Sequence, residues 1–119
     1  MQKPPIDLKP EHWLIVAQIL AEQVHDKEVW AFGSRAMGTA KEYSDLDLAV
    51  IGDEPLGLSL SASLAESFSE SLLPFKVDVV DWATTSPTFR ELIRRDRVVI
   101  QGPSTHEVAA DGRDDGVAQ

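Results

Sequence analysis

The chain contains no cysteine among its 119 residues. A disulfide framework and a thiolate-held metal are therefore both excluded, and a reducing compartment, the cytoplasm, is expected. The start, MQKPPIDLKP, lacks the apolar core of a secretion signal. The longest unbroken apolar run, residues 13–17, is far too short to cross a bilayer. Positive charge is also scarce, with 11 Lys and Arg against 20 Asp and Glu and a formal net charge of −9. Apart from the short group Arg90, Arg94, Arg95 and Arg97, no basic stripe interleaved with aromatics occurs. Direct binding of long nucleic acids is disfavoured on that ground. A nucleotide is not, because a bound metal ion inverts the local sign of an acidic site.

What is present suffices for one packed domain. Apolar residues make up 43% of the chain, which argues against global disorder. Residues 9–24 carry Trp13, Val16, Ala17, Leu20 and Val24 at helical spacing behind Pro10, a residue suited to the first helical position. Strands are predicted over 28–32, 45–51 and 75–82, with a short edge strand at 98–100. Further helices are predicted over 58–72, with an apolar stripe of Leu60, Leu64, Ala65, Phe68 and Leu72, and over 86–95, with Phe89, Leu92 and Ile93 facing inward. Alternation of this kind implies an α/β (α+β) domain, a small mixed β-sheet flanked by helices, over residues 1–101. After Gly102-Pro103 the aperiodic run STHEVAADGRDDGVAQ reads as a disordered acidic tail over 102–119.

One stretch carries chemistry. Residues 32–51 read FGSRAMGTAKEYSDLDLAVI. Leu46, Leu48 and Val50 alternate with Asp45, Asp47 and Ala49, so a strand puts both carboxylates on one face, about 6.6 Å apart at their Cα atoms. Like charges that close raise each other's pKa unless a cation lies between them, and hard divalent ions with oxygen ligands suit the position. Gly33-Ser34, at the end of the first strand, permits a sharp turn into a short helix whose free backbone N–H groups favour a phosphate. Ser34 is expected either to cap that helix or to bond a phosphate oxygen. Gly38 reads as a helix C-cap, and Arg35 as a salt-bridge, partner or phosphate contact outside the catalytic set. Asp78 interrupts an apolar strand, a costly position unless paired or metal-bound; Asp81, at the strand end, reads as a turn or solvated residue.

Gly33-Ser34, Gly38 and Ser44-Asp45-Leu46-Asp47 resemble the signature of the nucleotidyltransferase superfamily that includes DNA polymerase β. With Arg35 inside GSRAMG, the short form resembles minimal nucleotidyltransferases of the MntA antitoxin type. The resemblance implies the polymerase β-like fold and a third carboxylate on the next strand, for which Val77-Asp78-Val79 matches the setting and Asp81 is the rival. Asp45, Asp47 and Asp78 would then be both catalytic residues and metal ligands, for two Mg²⁺ ions with Mn²⁺ as an alternative. Gly33 and Ser34 would bind ATP. The three carboxylates are expected to converge beside residue 33. A domain of about 100 residues leaves little room for an acceptor module. In the resembling families a separate helical chain of the HEPN type, the HepT toxin, receives AMP on a tyrosine hydroxyl and is silenced. Two other readings share these residues: the catalytic subunit of a small-molecule nucleotidyltransferase resembling aminoglycoside-modifying enzymes, and a non-catalytic partner-binding module.

Overall fold

A computed structural model describes residues 3–103. All but the first two positions of the predicted tail lie outside the described residues. Helix α1, Pro10–Gln23, turns Trp13, Val16, Ala17 and Leu20 inward and stops at Val24, whose N–H still reaches Leu20 O. Strand β1, Glu28–Phe32, ends at Gly33, and a four-residue helix α2, Ser34–Met37, follows at once. Strand β2 spans Leu46–Ile51, helix α3 Leu58–Ser69, strand β3 Val77–Asp81, helix α4 Pro87–Asp96 and strand β4 Val98–Gln101. A 3₁₀ turn, Trp82–Thr84, joins β3 to α4. Among the described residues no helix is long and apolar enough to cross a membrane.

The four strands lie in the order β3-β2-β1-β4. β1 pairs antiparallel with β2 and with β4, while β2 and β3 run parallel. Parallel neighbours require a crossover, and α3 supplies it. One sheet face, with Val29, Ala31, Leu46, Leu48 and Val50, joins α1 and α3 in the main core. The other carries Phe32 and Ala49 and is sealed by Ile93 of α4. β4 closes the sheet from the far end of the sequence. Gln101 faces Val29, and its Nε2 donates to the carbonyls of Val24 and Lys27, each at 2.9 Å.

Three expectations need correction. α3 stops at Ser69, because the Glu70 N–H closes on Glu66 O and the Ser71 hydroxyl donates to Phe68 O. Leu72 thus lies beyond the helix and 89% exposed, and Ala65 also faces outward. β3 begins at Val77, after Phe75 has turned into the core and Lys76 O has accepted from Leu46 N. On α4 only Ile93 is fully buried. Phe89 and Leu92 keep 38% and 39% of their surface, because the patch that α4 covers is narrow. The arginines of α4 and of its C-cap lie over indoles: Arg90 and Arg94 sit 4.9 and 5.2 Å from the Trp82 ring, and the cap residue Arg97 sits 4.8 Å from Trp30. Cation–π stacking of this kind stabilises by about 0.5–1 kcal/mol per exposed pair.

Since Ile93 is the one fully buried residue that α4 places in the smaller core, Ile93→Ala should cost about 2–5 kcal/mol, measured as a drop in the urea midpoint at unchanged m-value.

Candidate active site

β1 delivers the chain to Gly33, whose φ of +78° lies in the left-handed region. An ideal Cβ built there would stand 2.5 Å from Oδ2 of Asp47, so this glycine is required both by conformation and by space. Gly33 is the N-cap of α2, and its carbonyl accepts from Ala36 and Met37 N–H. Ser34 is therefore the first helical residue and not the cap. Gly38 closes α2 at φ +78°, ψ 19°, donating its N–H to Ser34 O, the C-cap its position predicts.

Arg35 has a role that the sequence reading did not assign. It is the one charged residue buried as a whole among the described residues. Its Nε donates to Ser44 O at 2.9 Å, Nη1 to Asp7 O at 2.8 Å and Nη2 to Glu42 O at 3.0 Å. Its guanidinium lies 4.1 Å from the centre of the Phe75 ring. The expected salt bridge is not formed; the partners are carbonyl oxygens from two remote segments. Arg35 thereby fixes the loop that leads into Asp45 without neutralising any carboxylate there. A buried charge is tolerated because its donors are met. The only signal in the sequence was its place inside the glycine-serine motif.

The register of the sheet positions the acids. Asp47 stands opposite Phe32 on β1 and opposite Asp78 on β3, and directly opposed residues share a face. Adjacent strands lie about 4.8 Å apart, so Asp47 and Asp78 are near neighbours. Asp45 lies two residues before Asp47, exposed, just ahead of β2. Burial lifts the Asp47 pKa above its ordinary value, and the charges of Asp78 and Asp45 raise it further. Asp78 meets Lys76 at 3.5 Å, a contact open to solvent and worth little. Asp81 points to the opposite face of β3. Its Oδ2 accepts from Leu56 N at 2.9 Å and its Oδ1 from Ala83 N at 3.3 Å, so it holds a loop and the 3₁₀ turn.

The coupling among the acids is pairwise through Asp47. No group of three or more His, Cys, Asp or Glu side chains among the described residues gathers on one metal position. The chemistry of the donors nonetheless fits a hard divalent cation: all are carboxylate oxygens, and Asp47 carries uncompensated repulsion.

A mixed sheet that carries two facing aspartates beside a glycine-serine helix start is the framework of a nucleotidyltransferase. The chain belongs to the family described as Polymerase beta, Nucleotidyltransferase, which it matches over residues 15–105. It is 57% identical over 96 residues to the protein named "Probable protein adenylyltransferase MntA" of Haemophilus influenzae, covering 81% of this chain and 84% of that one. Among solved structures, a toxin–antitoxin complex with AMP-PNP superposes with a TM-score of 0.65 at 23% identity, over 80% of this chain and 77% of that one. The MNT antitoxin in complex with tri-AMPylated Shewanella oneidensis HEPN toxin gives 0.58 at 20%, over 80% and 73%. At such identities the structures establish the shared fold.

Two outcomes follow from the packing around Asp47. Gly33→Ala should destabilise the fold by about 1–3 kcal/mol in thermal melts, because its Cβ must displace the Asp47 carboxylate from a strained backbone. A raised native pKa means that ionising Asp47 opposes folding. The cost appears as pH rises from about 3.8, the ordinary aspartate value, through the raised one. Asp47→Asn should therefore melt above the parent at pH 7, with the difference vanishing below about pH 3.8.

Proposed function

We propose that the chain is a protein adenylyltransferase that acts as an antitoxin, transferring AMP from ATP to a tyrosine hydroxyl on a helical HEPN-type partner and so silencing it. The observation that carries the transfer chemistry is the placement of Asp47, against Gly33 on one side and in register with Asp78 on the other. The choice of a protein acceptor is supported by the relative named as a protein adenylyltransferase. An ATP-consuming reaction and a chain without cysteine fit a cytoplasmic setting.

In this reading the backbone at Gly33 and Ser34, with the Ser34 hydroxyl, grips the β- and γ-phosphates. Asp45 and Asp47 would hold a divalent metal, Mg²⁺ or Mn²⁺, and Asp78 would complete a second position. When bound, two such ions supply charge neutralisation to the attacking and leaving oxygens. Asp78 orients the incoming hydroxyl and takes its proton. A bond forms between the acceptor oxygen and the α-phosphorus, the α–β bridging bond breaks, and pyrophosphate leaves. Positioning and electrostatic stabilisation provide most of the acceleration.

The test is incubation with α-labelled ATP, Mg²⁺ and a HEPN-type helical chain as acceptor. Label should appear on that chain; label confined to a small-molecule acceptor, or no transfer at all, overturns the reading. Asp45→Asn and Asp47→Asn should each lower the rate by about a hundredfold or more with the fold retained by circular dichroism.

A further inference from the structure

Between α3 and the outer edge of β3 lies a cleft of about 610 Å³ whose lining includes Asp78. Phe68 and Ala65 of α3 and Leu73 of the following loop face Val77 and Val79 across it. Residues of both alternations of β3 contribute, Val77, Val79 and Asp81 from one and Asp78 from the other, with Lys76 just ahead of the strand. The cleft therefore runs along the strand's edge and not beneath one face. β3 has a strand neighbour on one side only, so backbone groups directed away from β2 have no strand partner.

We infer that this cleft seats the acceptor as an extended polypeptide segment lying along β3, with its reactive hydroxyl delivered to Asp78. The inference rests on the nucleotidyl-transfer reading and names the substrate subsite of that reaction. Displacement at phosphorus proceeds in line, so the attacking oxygen approaches from the side opposite the leaving group. Pyrophosphate leaves toward Gly33 and Ser34 at the end of β1, Asp47 stands on the central strand β2, and the far side is β3. The acceptor must enter there, and the cleft is the cavity at that place. An open strand edge offers main-chain hydrogen bonds to an extended peptide, while adjoining apolar pockets take alternate side chains. Charge narrows the choice further. The cleft presents Asp78 and Asp81 against a single cation, Lys76, in a chain of net charge −9, which complements a neutral or basic segment.

Ala65 lines the cleft yet is exposed on α3 and lies outside the catalytic set. Ala65→Trp should fill the cleft, raise KM for the HEPN-type acceptor at least about tenfold, and leave KM for ATP and Tm near the parent's. Ser69→Trp, at the exposed end of α3 on the same cleft, should do likewise and serves if the first variant folds poorly. An unchanged acceptor KM in both variants, while the parent protein labels the acceptor, overturns the inference alone. A parallel rise in KM for ATP also overturns it, because the nucleoside would then occupy the cleft. A parent protein that transfers no AMP to the acceptor overturns the adenylyltransferase reading and the inference together.

Discussion

The structure depends on a repulsion it does not relieve. The register of β2 on β3 sets Asp47 and Asp78 face to face, the strand alternation brings Asp45 to the same side, and burial denies Asp47 part of its water. Relief by a neighbouring lysine or arginine would have been easy to build. Instead the nearest basic side chain, Lys76, makes one solvent-screened contact with Asp78. The one buried guanidinium, that of Arg35, is committed to carbonyl oxygens. Retaining an unpaired acidic charge on a sheet face costs stability, and that free energy becomes available to whatever positive charge enters.

Around this core of unspent charge, everything else is positioning. Gly33 gives the Asp47 carboxylate its space, and α2 starts there because the turn is already made. Arg35 ties the loop before Asp45 to the segment at Asp7, which lies 28 residues before Arg35 itself. Phe75, stacked on the same guanidinium, links that loop to the approach of β3. Displacement of either strand would therefore be felt at both ends of the acidic row. The second core, under α4, holds the opposite half of the same face and leaves the acidic end uncovered.

Much of this was legible before the fold was known, because the relevant signals are local. The period-two alternation of residues 45–51 determines which side the aspartates share, and β1 runs over the residues its apolar pattern predicts. Gly38 terminates α2 as its neighbours require. Asp78 and Asp81 could be ranked only provisionally, since each sits in an acidic, apolar-flanked strand; the difference lies in which face each occupies and in Leu56 and Ala83 claiming Asp81. Arg35 was illegible for a deeper reason. Its acceptors are main-chain atoms of residues 7, 42 and 44, and backbone carbonyls are identical in every sequence, so only the tertiary approach reveals them. Phe89 and Leu92 misled because helical spacing shows which residues share a stripe, but not how wide the surface beneath it is.

The pairing of β4 with β1 bears on how the protein is made. Contacts that join Gln101 to Val24 and Lys27 span more than 70 positions of sequence, so a chain emerging from the ribosome exposes β1 as an open edge until the far strand is released. Non-local closure of this kind slows folding and leaves a strand edge available to other chains in the interval.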